Sequence, residues 1–172
     1  MSTKYEKLAV YEVRNAMWKE LQAAGLFNLN DYYPDTLDSP LIPIIPSQQV
    51  PEFNNLLPGK PYIVYNVVQK HYGVEWWMSS ETLILEIISR NAAEIQTITN
   101  FLIDLFRRYD QSATDVNLET SINSPFKFHW FRLESADPSQ PFQNEGGYMS
   151  GDLSIVYCYS REVDSNNNGR FL

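Results

Sequence analysis

One unbroken stretch, Pro58 to Tyr109 (PGKPYIVYNVVQKHYGVEWWMSSETLILEIISRNAAEIQTITNFLIDLFRRY), reads as strand, turn, strand and amphipathic helix, and it constrains the fold more than any other segment. Alternation through Tyr62, Val64, Asn66 and Val68 suits a half-buried strand, and Leu83 to Ser89 is a second, rich in branched residues. A helix follows at once. Asn91 is placed to cap it, and Glu94 stands three residues on to complete a capping box. Ile95, Ile98, Leu102, Leu105 and Tyr109 fall on one face. A hairpin with a helix laid across it is the expected unit.

The flanks add to it. Tyr5 to Ala24 has helical spacing, with Leu8, Tyr11, Met17, Trp18 and Leu21 on an apolar side. Lys4, Glu6, Lys7, Glu12, Arg14, Lys19 and Glu20 keep the rest wet, and Gly25 closes the helix. Leu41 to Ile45, hemmed by Pro40, Pro43 and Pro46, reads as an edge strand or irregular extended chain. From Pro46 to Pro61 the prolines and asparagines argue against a regular element, so a projecting arm or disordered loop is expected. After the second helix come a polar loop, a strand at FKFHWFRLE with apolar groups on both faces, a loop at DPSQPFQNEGGYMSG and a last strand at DLSIVYCYS. The expected class is α+β: an antiparallel or mixed sheet, two main helices on one face, and long polar loops. A single domain spans 1–163, and 164–172 is a flexible C-terminal tail.

Composition removes several function classes. A chain of 172 residues buries about 70% of its unfolded surface as one domain. The formal net charge of -8 opposes nonspecific grip on duplex nucleic acid, where lysines and arginines displace counterions. Eleven Tyr, nine Phe and four Trp favour cores and interfaces. The lone Cys158 forms no intrachain disulfide and reads as a small core residue. The N-terminus lacks the apolar run of a secretory signal, and no stretch approaches the roughly 20 apolar residues of a membrane helix. A soluble protein, cytosolic when made, is expected.

Catalytic and metal chemistry have little to work with. His71 and His129 are the two histidines, and no HxxxH, HExxH or CxxC spacing is present. Glu81 and Glu86 flank an apolar strand and read as solvated or interface charges rather than an acid and base pair. Cys158 with a distant His129 has no local nucleophile signature. Gly59 in LPGKP belongs to a turn, since Pro58 and Pro61 lack the amide donors of a phosphate loop. Arg107 and Arg108 complement the helix dipole at their helix C-terminus. No cofactor or metal is expected. Trp76 and Trp77 are adjacent, so on a strand their rings point to opposite faces, one inward and one toward solvent or a partner.

The helix Tyr5 to Ala24, the proline-marked entry Leu41 to Ile45, the phrase KPYIVYNVV, the strand TLILEII and the helix NAAEIQTITNFLIDLFRRY together resemble the tail terminator (tail completion) proteins of long-tailed bacteriophages. The resemblance covers Tyr5 to Tyr109, and the last two strands agree in type. It implies a virion protein at the tail and neck, made in the host cytoplasm and working without catalysis. It would be a ring, usually a hexamer, that caps the tail tube and offers a docking face to the neck or connector protein, with the sheath protein as a further partner in contractile tails. DNA would pass through the lumen without specific binding, past an acidic wall that repels phosphate. A sheet edge on one subunit would be covered by the next.

Under that resemblance, topology places intersubunit or tube contacts at His71, Tyr72, Glu75, Trp76 and Trp77. The arm Gln48 to Asn55, with Gln48, Gln49, Phe53 and Asn54, is a second contact region. Other classes stay open: a head–tail connector or neck adaptor, or a small ligand-binding α+β domain with a pocket lined by Tyr and Trp. Replacing Trp76 and Trp77 together with polar residues is expected to leave a folded monomer unable to cap tubes, as scored by electron microscopy. Normal ring assembly by that variant would refute the assignment.

Overall fold

Side chains that alternate along the central strands sort the sheet into one apolar face and one mixed face. The computed structural model describes residues 8–72, 78–111, 126–143 and 147–161. Its helices and strands run α1 (Ala9–Ala23), β1 (Ile44–Pro46), α2 (Val50–Leu56), β2 (Tyr62–Tyr72), β3 (Met78–Ser89), α3 (Ala92–Gln111), β4 (Phe126–Gln143) and β5 (Met149–Arg161). The described strands form one sheet in the order β1-β2-β3-β5-β4. β1 runs parallel to β2, and the other neighbours are antiparallel. The fold is α+β with a mixed sheet.

Register sets which residues share a face. Ile63, Ile87 and Gly151 stand in line across β2, β3 and β5, as do Tyr65, Leu85 and Leu153, then Val67, Leu83 and Ile155. α3 lies on this side, because Ile95 and Thr99 are the side chains that approach Gly151. Further along α3, Phe106 and Tyr109 pack on Phe131 of β4, with ring centroids 6.1 and 5.4 Å away. α1 takes the same side over β2, where the charge of Arg14 acts on the Tyr65 hydroxyl. Arg108 of α3 meets Glu20 of α1 at 3.2 Å, a partly exposed pair that contributes at most about 1 kcal/mol. Both main helices therefore share one face, and their joint burial of apolar surface holds the core.

The helix ends follow from local chemistry with one change. Asn91 caps α3 through Oδ1, which accepts from the Ala93 amide at 3.0 Å. Glu94 does not reach back to the Asn91 amide. It accepts from the Ser89 hydroxyl, and Ser89 Oγ accepts from the Asn91 amide, so the box closes through a serine relay. Gly25 (φ +72°) ends α1: its amide bonds to Gln22 and the Leu26 amide to Leu21, a Schellman arrangement. The buried stripe of α1 is broader than expected and differently phased. Val10, Val13, Met17 and Leu21 point inward with Glu12, while Leu8 and Tyr11 are exposed. Glu12 is thus a buried carboxylate rather than a wet one.

Two segments expected as loops are regular. Parallel strands need a crossover of a dozen or more residues, and residues 47–61 supply it with a 3-10 turn, Ser47–Gln49, and α2. Pro51 lies in the first turn of α2, where a missing amide costs nothing. Phe53 sits 4.8 Å from Tyr62. Since Tyr62 alternates with Ile63, α2 covers the sheet face opposite α1 and α3. Gln48 to Asn55 is accordingly a packed crossover and not a projecting arm.

The second correction is β4, which continues through Gln143 where a loop was expected after Glu134. β4 is a border strand, and proline is tolerated at a border or bulge. Pro138 and Pro141 fall inside the register shift between Asp137 and Phe142. Another shift lies between Phe128 and Trp130. It explains how Phe128 and Phe131, out of phase in a flat strand, are both buried and touch at 5.4 Å.

At Gly151 α3 comes too close to the sheet for a side chain, because a Cβ there would lie 2.9 Å from Ile95 Cγ2 and 3.4 Å from the Asp137 carbonyl oxygen. Gly151→Ala is therefore expected to destabilise the fold by about 1–3 kcal/mol through overpacking. Urea unfolding measures it; an unchanged midpoint would contradict this docking of α3.

Candidate interaction surfaces

The residues expected to make contacts divide into three groups. His71 and Tyr72 belong to strand β2, opposite Ser80 and Ser79, and not to a turn. The hairpin is longer than its apolar pattern suggests because polar pairs such as Lys70 and Glu81 continue the ladder. Glu75, Trp76 and Trp77 lie outside the described residues. Of the crossover set, Gln48 and Gln49 are exposed and Asn54 is half-buried, whereas Phe53 is only 2% exposed. The Phe53 ring already belongs to the protein's own core and has little surface left for a partner.

Phe53 is one link in a line of rings. Trp18, Phe27, Tyr32, Phe53, Tyr62 and Tyr148 follow one another at centroid separations of 4.8 to 6.2 Å. Hydroxyl groups tie its far end to the backbone: Tyr32 donates to the Pro61 carbonyl at 2.9 Å, and the Gly59 amide donates to Tyr148 Oη at 2.7 Å. Arg90 completes that corner, its guanidinium 4.7 Å from the Tyr148 ring centroid. These aromatics serve packing. Beside them Leu41, Ile45, Gln49, Glu52 and Phe53 line an open dent with room of about 20 Å³, far below the roughly 300–1,000 Å³ of ligand pockets.

The face away from α1 and α3 is covered unevenly. Under α2, Tyr62 and Val64 are buried. Farther along, Asn66 is exposed and Val68 is 50% exposed at the β2 bulge. Ile84 is exposed on β3, and Val156 and Trp130 are half-buried. This open half of the sheet carries apolar groups on several strands, the kind of surface an assembly covers.

Glu81 corrects the expectation of a solvated charge. It shares the phase of Leu83, Leu85 and Ile87 and points into the core, 7% exposed. Tyr157 donates to its Oε2 at 2.5 Å and Tyr159 to its Oε1 at 2.7 Å. A buried carboxylate is tolerable when its lone pairs are satisfied in this way. The arrangement locks the carboxylate rather than presenting it. Cys158 is buried, and burial pushes its thiol up, away from a reactive thiolate. His129 places Nε2 2.8 Å from Ser160 Oγ, and burial together with Lys127 lowers its pKa. Among the described residues no group of three or more His, Cys, Asp and Glu is placed to hold a metal ion, and no helix is long and apolar enough to cross a membrane.

The sequence matches no protein-family model and none of the curated proteins.

The Glu81 cluster makes stability pH-dependent in a definite direction. Tyr157 is raised well above its ordinary pKa of 10.0, first by burial and then by the charge and hydrogen bond of Glu81. Its contribution is whole below the unfolded pKa and is lost as pH rises toward the folded value. Unfolding midpoints should fall between about pH 9 and about pH 12, with a smaller fall in Tyr157→Phe. That variant should also lose about 1.5–3 kcal/mol at neutral pH. An identical alkaline profile for the two proteins would contradict the cluster.

Proposed function

We propose that this chain is a structural subunit of the virion of a long-tailed bacteriophage. It closes into a ring on the end of the tail tube, stops tube growth and presents a docking face to the neck or connector, and to the sheath end where the tail contracts. Assembly takes place in the host cytoplasm and the finished ring resides at the tail and neck. On this reading the protein works by shape and catalyses nothing.

One observation carries the reading. Among the described residues both main helices cover a single sheet face, half of the other face carries no helix, and the long strand β4 stands at one border of the sheet. A ring subunit needs two different surfaces, one for each neighbour, and surfaces around a sheet that the monomer leaves incomplete provide them. The order of elements, with KPYIVYNVV opening β2 and TLILEII within β3, supports the same reading through its likeness to tail terminators. Use of the tyrosines and phenylalanines in packing favours an assembly protein over a small-molecule binder.

Light scattering on the purified protein, alone and with purified tail tubes, tests the proposal. The expected result is an assembly several times the 20.0 kDa chain, or a single chain that gathers at tube ends. Negative-stain images should show a ring with an open centre. Rings that bind an isolated neck complex and ignore tubes would move the protein to a neck adaptor. A single chain that ignores both would overturn the proposal.

A further inference from the structure

Charge is divided between the two borders of the sheet. From Leu21 to Gly59 the chain has no lysine or arginine, while Asp31, Asp35, Asp38 and Glu52 are all exposed. This stretch leads into and out of β1, the strand at one border. Within it Tyr33 and Leu37 are 48% and 38% exposed, so the acids frame an apolar centre. Tyr32 holds this segment in place, buried among Phe27 and Phe53 and donating to Pro61. The Leu41 amide bonds to the Tyr32 carbonyl at 2.8 Å, which fixes the far end of the segment.

The opposite border is mixed farther along, where Glu134 and Asp137 are exposed, but its first seven residues, Phe126 to Arg132, contain no acid. This stretch carries exposed Lys127 and Arg132 around half-buried Trp130, and the Arg132 guanidinium stands 5.5 Å from the Trp130 ring centroid. This surface too has an aromatic centre with charge around it, of the opposite sign. An apolar or aromatic centre with a charged rim is the usual build of a protein interface, and opposite charges select the partner and register.

We propose that the Tyr33 and Leu37 surface of one copy docks on the Trp130 surface of the next, with Asp31, Asp35 and Asp38 facing Lys127 and Arg132. The occupant of each surface is a second copy of this chain, and the contact is head to tail. Two complementary patches on opposite borders of one sheet produce a chain of subunits that closes when the rotation per step allows. The assignment rests on the ring reading above and names the surfaces that close the ring.

The test is charge reversal on each side, in the full chain, with light scattering in about 50 mM and about 1 M salt. Asp35→Lys with Asp38→Lys reverses one patch, and Lys127→Glu with Arg132→Glu reverses the other. All four positions are exposed, so the thermal unfolding midpoint of each variant should stay near that of the unaltered chain. Each two-site variant is expected to drop to the mass of a single chain, both alone and with tail tubes. The four-site variant, and an equal mixture of the two-site variants, should regain the mass of the unaltered assembly. High salt should weaken all of these assemblies. If the unaltered chain assembles and the two-site variants assemble equally well, or if the four-site variant fails to recover, the assigned surfaces are wrong while the ring stands. If the unaltered chain never assembles, alone or on tubes, the ring reading fails and this inference with it.

Discussion

The seating of α3 on the sheet is the contact on which the rest of the structure depends. It requires a glycine at position 151, where Ile95 comes too close for a side chain, and a bulge in β4 that turns Phe128 and Phe131 to the same side. Given these, α3 spans β3, β5 and β4 and fixes which face is dry. α1 then completes the same face over β2. Among the described residues the other face receives only the short crossover helix α2, and Val68 and Ile84 stay exposed beyond it.

Polar groups follow the same division. Inside, Glu81 is held by two tyrosine hydroxyls, and the relay from Glu94 through Ser89 to the Asn91 amide closes the first turn of α3. Fully satisfied buried groups of this kind favour one packing over its neighbours. Outside, acidic residues gather where the chain enters β1, while Lys127 and Arg132 are the exposed charges over the first seven residues of β4, ahead of Glu134 and Asp137. The net charge of -8 therefore conceals a polarity across the sheet. Such polarity suits a subunit whose two neighbours meet different sides of it.

Much of the fold was legible because period and capping agree. The apolar stripe of α3, its Asn91 cap, the closure of α1 at Gly25, the edge position of β1 and the burial of Cys158 all follow from short-range rules. The failures share a physical cause: each depended on a partner distant in sequence. Proline was read as a breaker at Pro51, yet the parallel pairing of β1 with β2 demanded a crossover and placed that proline in a helix's first turn. Prolines in β4 were read as a loop, although a border strand does not need their amides. The candidate surfaces were less legible still. Phe53 looked available until Tyr62 was seen beneath it, and Trp130 gained meaning only once β4 was at the border. Glu81 was the avoidable miss, since its phase with Leu83, Leu85 and Ile87 already pointed it inward.

The central claim is that surfaces left incomplete in one chain are completed by its neighbours. Amide hydrogen exchange, compared between a dilute single chain and the assembled state, reads this directly. The account predicts that exchange slows on assembly in the segment around Tyr33 to Asp38 and in the first half of β4. Amides of β2 and β3, already inside the sheet, should change little. Unchanged exchange in both border segments of an assembled protein, with protection gained elsewhere, would contradict it.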